Sequence, residues 1–406
     1  MKKILAMVLV LVMALSLTAV TAAADGIAKE NIKLGVILLH DENSTYDLNC
    51  MNGAREAIAA LGMDESQLQF YRNQPESSAC AETALDAVDE GCNIVFFDSY
   101  GHQFYTDDVV AAHPEVQFVH ATGDLAHVKS FANLANAFAT IYEGRYLAGV
   151  AAGMKLNEMK AAGKLKGDVP MIGYVGAYTY AEVVSGYTSF YLGAKSVCPD
   201  VIMKVQFTGS WYHEKWEKEA AEALIAAGAD LISQHADSMG APTACENAGV
   251  PNVCYNISTK DACPDTYLVY SRINWEPYFE YLIGQVIAGE PVDKDWVGNM
   301  PTNSVIVTDL NEAVAAEGTQ AAIDAAKAEL IDGTRKVFDL EADNYITVGG
   351  EKVTTYMFEK DTDFQKEAVY DGYFHESEKG FRSAPYFDLQ IDGIELLNTY
   401  FEAREE

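Results

Sequence analysis

From position 31 onward, short apolar runs alternate with longer stretches in which apolar residues recur every three or four positions. The runs fall at 32–39, 68–71, 94–97, 116–120, 171–175, 203–207, 230–234 and 252–255. Near-continuous apolar runs of this length suit strands covered on both faces, and the periodic stretches between them suit the covering helices. Helices are predicted over 49–61, 79–90, 142–159, 181–197 and 213–227. In the last, Trp216, Ala220, Ala223, Leu224 and Ala227 make one stripe and Lys and Glu the other, as in a surface helix packed on a sheet. Such alternation specifies an α/β fold built on doubly wound parallel sheets.

The units divide near 144–173 into two sets of about four, which predicts two similar lobes joined by a hinge. Another strand is expected at 267–273, then a helix over 275–288 stopped by Gly289-Glu290-Pro291, and an Ala-rich helix over 311–332 ending at Gly333. On this reading 31–142 and 256–290 form the N-terminal lobe, and 143–255 with 291–337 the C-terminal lobe. Residues 338–406 form a C-terminal extension of aromatic and acidic stretches that repeats nothing before it. Within it Gly349-Gly350 reads as a hairpin turn between 345–348 and 352–354.

Composition sharpens the picture. A chain of 406 residues exceeds the roughly 250–300 at which one core stops growing, so two lobes are the default. Lys2 and Lys3, an apolar run over 4–20 broken only by Ser16 and Thr18, and Ala22-Ala23-Ala24 read as an export signal cleaved near Ala24. No cysteine ends that run, so no lipid attachment is expected, and the mature chain is expected to be secreted or periplasmic. A formal net charge of −32 repels phosphate backbones and anionic headgroups, which argues against nucleic acid and membrane surfaces as partners. The seven cysteines are too sparse for a disulfide scaffold, and no Cys-x-x-Cys or His-x-x-x-His accompanies them. One disulfide among them stays open, Cys254 reads as a small buried thiol, and no metal site is expected.

In open parallel sheets ligands sit beyond the carboxyl ends of the strands. Those places hold residues 40–46, 98–101 and 121–123 in the first lobe, and 177–179, 209–212, 235–238 and Asn256 in the second, with Asn274-Trp275 after the last strand. They offer aromatic faces, carboxylates, hydroxyls and amides with almost no cations, which suits a neutral, flat, hydrogen-bonding ligand. Plainer readings stand beside the functional ones: Trp211 as a surface or core aromatic, Asp237 as a helix N-cap, His235 as structural, Glu182 as a complement to its helix dipole. No nucleophile elbow, Walker loop or dinucleotide fingerprint is present, so no catalytic residue and no cofactor is predicted. Asp41 and Asp237 facing each other as acid and base is conceivable, but a carboxylate accepting ligand N–H groups is the simpler role.

Residues 40–47 (HDENSTYD), 120–123 (HATG), 142–149 (YEGRYLAG), 173–176 (GYVG), 193–200 (GAKSVCPD), Trp211-Tyr212 and 229–238 (ADLISQHADS) occur in this order. Together they resemble the basic membrane protein family over about 33–338. These are ABC-importer substrate-binding proteins with the type I periplasmic binding fold, and the branch with these motifs is similar to purine nucleoside or nucleobase receptors. The resemblance implies that Tyr46 and Trp211 stack on the purine and that Asp237 accepts its hydrogen bonds. Asp41, Asn43, Ser44 and Thr122 would line the first-lobe side, and an ABC permease would be the partner. Asn274 stands where the best-known nucleoside receptors of the family carry a lysine, a departure that leaves base and nucleoside open. A sugar receptor of the same fold and a secreted nucleoside hydrolase are the rival readings.

Overall fold

Two parallel sheets organise the chain in a computed structural model that describes residues 26–341, 345–358, 364–377 and 382–404. The expected export signal lies outside these residues. In chain order the strands are β1 (Leu34–Ile37), β2 (Leu68–Tyr71), β3 (Ile94–Phe97), β4 (Gln117–Ala121), β5 (Leu134–Ala139), β6 (Met171–Gly176), β7 (Ile202–Phe207), β8 (Leu231–His235), β9 (Asn252–Tyr255), β10 (Tyr267–Ile273), β11 (Asp295–Gly298) and β12 (Val305–Thr308). The first sheet runs β11-β5-β4-β3-β1-β2, and the second runs β12-β10-β9-β8-β6-β7 with a strand at Ile394–Leu396 beyond β7. All neighbours are parallel except β10 and β12. The covering helices are α1 (Thr45–Ala60), α2 (Ser78–Asp89), α3 (Asp107–Ala112), α4 (Ile141–Ala161), α5 (Ala181–Val197), α6 (Glu214–Ala226), α7 (Gly240–Ala248), α8 (Glu276–Ala288) and α9 (Thr319–Asp332).

Central strands β1, β3, β5, β6, β8 and β9 are buried along their whole length, which is why their sequences read as apolar runs rather than alternations. Strand β5 escaped that pattern because Ala and Asn dominate it. Asn136 is buried there because its Nδ2 donates to Asp295 Oδ1 at 3.0 Å, across to β11. The α6 stripe also differs from expectation. Glu217, placed with the outward charges by periodicity, is buried and accepts the backbone N–H groups of His213 and Ser238 at 3.0 Å each.

Three chain crossings join the lobes: β5 to α4, β10 to α8 and β11 to β12. They lie side by side, with Thr140 N–H donating to Gly298 O (2.8 Å), Asn274 N–H to Ser304 O (2.9 Å) and Met300 N–H to Glu143 Oε2 (3.2 Å). This corrects two expected placements. Residues 267–273 belong to the second sheet, paired with β9, and 295–298 belong to the first, paired with β5. Periodicity identifies a strand but not the sheet that receives it. The helix expected from 311 begins at Thr319, after Gly318 at φ +81°. All seven cysteines are buried and free of disulfide bonds.

The extension packs against the hinge and both lobes. Phe338 stacks on Phe387 with ring centroids 4.3 Å apart, and the buried carboxylate of Glu376 accepts the N–H groups of Tyr386 and Phe387. Arg382 reaches Asp124 Oδ2 at 3.3 Å, and Ser383 reaches Asp295, both in the first lobe. The expected hairpin is present as Thr347–Val348 against Glu351–Lys352, with both turn glycines at positive φ.

Helices α4 and α5 touch backbone to backbone at two glycines. A Cβ on Gly193 would sit 1.9 Å from Tyr146 O, and one on Gly149 would sit 2.0 Å from Phe190 O. Gly193→Ala is therefore expected to lower stability by about 1–3 kcal/mol, as overpacking does. Gly284→Ala, in α8 with open space around it, should be neutral or slightly stabilising; urea unfolding followed by circular dichroism separates the two.

Candidate functional site

Facing carboxyl edges of the two sheets line a cleft whose empty space, open solvent included, is about 410 Å³. The lobes are closed on it. Thr45 N–H, in the first turn of α1, donates to Asp237 O of the other lobe at 2.8 Å. His40 and Tyr212 lie 5.4 Å apart across the cleft, and Tyr100 and Tyr180 5.8 Å.

The loop after β1 becomes a helix start because Ser44 is an N-cap. Its hydroxyl accepts Asp47 N–H and donates to Asp47 Oδ2, while Asp47 Oδ1 accepts His40 N–H at 2.8 Å. That arrangement presents the Tyr46 ring to the cavity and ties its hydroxyl to Asp98 O at 2.9 Å. Burial alone would raise the pKa of Asp47. The hydrogen bonds and charge of His40, with the Ser44 hydroxyl, outweigh it and hold the carboxyl low. Asp98, at the end of β3, gives Oδ1 to Leu39 N–H at 3.0 Å and leaves buried Oδ2 without a partner. Burial, then the nearby Asp47 charge, push Asp98 well above the usual carboxyl range. Thr122 holds a left-handed φ of 54° where the chain leaves β4 along the cavity wall.

The second lobe supplies Trp211, Glu182, His235, Asp237 and Tyr255. Trp211 stands edge-on to Tyr178 at 5.0 Å, and its carbonyl accepts Asp237 N–H at 2.9 Å. Asp237 Oδ1 accepts Asn256 Nδ2 at 3.1 Å. Burial, followed by the charges of Glu217, Asp47 and Glu182, lifts Asp237 well above its ordinary value. Glu182 lies 3.2 Å from His235 Nε2 and is pushed by burial to about 7. Burial and the Arg145 charge keep His235 neutral. Arg145, fully buried under this wall, donates to Gln234 O at 2.9 Å and lays its guanidinium 3.5 Å from the Tyr255 ring centre. Asp98 Oδ2, His235 Nδ1 and Tyr255 OH are buried and unpartnered. A ligand here meets four carboxyl groups, Asp47, Asp98, Glu182 and Asp237; burial makes Asp98, Glu182 and Asp237 keep a proton more readily, so they can donate an O–H as well as accept.

Of the residues singled out by sequence, Tyr46, Thr122, Trp211 and Asp237 come together on the cavity. The others do not line it. Asp41 and Asn43 turn on each other at the rim, where Asp41 Oδ1 accepts Asn43 N–H at 3.0 Å and Nδ2 at 2.8 Å. Ser44 is spent on the helix cap. Asn274 belongs to the hinge, donating to Asn303 O at 3.0 Å and accepting from Arg272 at 3.2 Å. Asp98, Glu182, His235 and Tyr255 were not chosen as site residues. For Asp98, His235 and Tyr255 the signal is position alone, at the carboxyl end of an apolar run; Glu182 stands further on, in the first turn of α5.

The family model described as ABC transporter substrate-binding protein PnrA-like matches residues 35–335. A purine-binding protein of Brucella abortus is 33% identical over 62% of this chain and 68% of its own length. A relative from Haloferax volcanii, named for glucose binding, is 30% identical over 55% of this chain and 54% of its own. Among solved structures, an ABC transporter solute-binding protein from Aeropyrum pernix superposes with a TM-score of 0.64 at 17% identity, covering 77% of this chain and 95% of that one. That likeness establishes the fold.

A carboxyl whose pKa is raised on folding costs stability once pH exceeds its unfolded value, because the folded chain then holds a proton the unfolded chain has released. For Glu182 that cost grows between about pH 4.5 and about 7. The buried imidazoles act in the opposite sense below pH 6.5, so each variant is compared with the wild type at the same pH. Glu182→Gln should raise the melting temperature of the unliganded chain at pH 8 and change it little at pH 5; an equal shift at both would contradict the assignment.

Proposed function

This chain belongs to the PnrA-like family of ABC transporter substrate-binding proteins, and we propose that the solute it carries is a purine base or nucleoside. The observation that carries this reading is the cavity itself: aromatic side chains from both lobes, Tyr46 and Trp211, over a floor of carboxyl groups. A purine offers two π-faces and an edge with ring or exocyclic N–H groups. Stacking supplies about 1–3 kcal/mol per base, and Asp98, Glu182 and Asp237 discriminate by hydrogen bonding to the donors and acceptors on its edge. The purine-binding relative from Brucella supports the same choice.

Binding is by closure. The solute enters while the hinge is open, and the Thr45–Asp237 bond and the two ring contacts re-form as water leaves. The closed chain is then what a membrane permease would recognise and unload. Family membership supports a receptor rather than a catalyst, with a working site outside the cytoplasm. Asp41, Asn43 and Ser44 act by shaping the rim and the helix cap behind Tyr46, and Asn274 by setting the hinge.

A sugar is the second reading, favoured by the relative named for glucose binding and by the ability of indole and carboxylate to grip a pyranose. Calorimetric titration with adenine, hypoxanthine, adenosine, guanosine, ribose and glucose decides between them. One-to-one binding of a purine is expected; heat with sugars alone would reverse the choice. Incubation with adenosine or guanosine should release no free base at enzymatic rates. Trp211→Ala and Asp237→Ala are each expected to weaken purine binding at least tenfold with the fold intact, the latter by leaving ligand donors unpaired. Unchanged affinity in either would remove that side chain from the site.

A further inference from the structure

The matched family core ends at residue 335, yet the last part of the chain reaches the ligand-bearing edge of the second sheet. The strand Ile394–Leu396 runs parallel along β7, pairing Ile394 with Met203 and Leu396 with Val205, and so carries the chain toward the carboxyl end of that sheet. There it meets the two loops that hold the aromatic wall: the loop after β6, with Tyr178 and Tyr180, and the loop after β7, with Trp211. Asn398 acts as a strand residue would, its Oδ1 accepting Phe207 N–H at 2.7 Å and its Nδ2 donating to Phe207 O at 2.9 Å. Tyr400 and Thr179 exchange two bonds, Tyr400 N–H to Thr179 Oγ1 at 2.9 Å and Thr179 N–H to Tyr400 O at 2.7 Å. Tyr180 OH donates to Phe401 O, and Arg404 N–H to Gly209 O, each at 2.9 Å.

The fit is steric as well. Gly209 sits at φ +76°, and a Cβ there would come within 2.8 Å of both Arg404 Cβ and Tyr400 Cδ1. Arg404 also lies 4.4 Å over the Trp216 ring, at the start of α6. On the other side of these loops, Tyr178 stacks on Tyr180 with centroids 5.0 Å apart, and both rings lean on Trp211, at 5.0 and 6.1 Å.

We propose that residues 398–404 are a positioning element of the ligand cavity, clamping the two loops that carry Tyr178, Tyr180 and Trp211 so that the aromatic wall is set before the solute arrives. Loops at a sheet edge ordinarily keep conformational freedom that binding must remove. Six hydrogen bonds from one segment remove it in advance, which raises affinity without any contact between tail and solute. Thr179 and Asn398 are therefore positioning residues. The inference rests on reading this cavity as the solute site.

The test uses the full chain with Asn398→Ala, Thr179→Val and Thr179→Ser. The probe is whichever of adenine, hypoxanthine, adenosine and glucose the wild type binds most tightly. Asn398→Ala and Thr179→Val are expected to weaken that probe at least fivefold while the melting temperature moves by a few degrees or less. Thr179→Ser keeps the hydroxyl acceptor and should bind as the wild type does. Unchanged affinity in both of the first two variants would overturn the proposal. So would a loss in Thr179→Ser equal to that in Thr179→Val. Binding of glucose alone by the wild type overturns the purine reading yet still tests the tail, and a wild type that binds none of the four overturns both.

Discussion

Arg145 is the charge around which the binding wall is built. A guanidinium fully removed from water is costly unless its surroundings answer it. Here Gln234 O and the Tyr255 ring face answer it directly, Nε and Nη2 have no hydrogen-bond partner, and the carboxyls of Glu182 and Asp237 couple to it at longer range. The reciprocal effect matters as much. Without that cation, the acidic wall would retain still more protons than it does. The recognition chemistry of the cavity thus depends on a residue that does not line it.

Geometry of the fold places this wall opposite a second one. Both sheets end on the same cleft because the chain crosses the hinge three times in adjacent segments, and those crossings are bonded to each other through Thr140, Asn274 and Glu143. With the hinge in this position, α1 lies against the β8–α7 turn and Thr45 N–H donates to Asp237 O across the cleft. The extension adds a connection of its own: bonded to Asp124 and Asp295 in one lobe and to Phe207, Thr179 and Gly209 in the other, it spans the joint outside the three crossings.

Much of this was legible before any coordinates. Strands at 68–71, 94–97 and 252–255 appear with the predicted bounds; the last two are buried throughout, while the edge strand 68–71 is buried only at Leu68. Tyr46, Thr122, Trp211 and Asp237 stand on the cavity because strand ends converge in this architecture. Other features were hidden for physical reasons. Glu182 and Glu217 look like ordinary helix-start and helix-surface acids, and only tertiary burial changes what they do. Asn274 follows a strand, as site residues do, but its strand leads into the joint. Residues 398–404 carry no motif; their importance comes from where the edge of β7 leads them.

The seven thiols have a use beyond packing. Cys50, Cys80 and Cys92 lie in the first lobe and Cys198, Cys245, Cys254 and Cys263 in the second, all shielded from solvent. An alkylating reagent meets them only as the half that holds them opens, so the sites it marks report which half has come apart, three in the first and four in the second. The molecule carries a native record of the order in which its halves come apart.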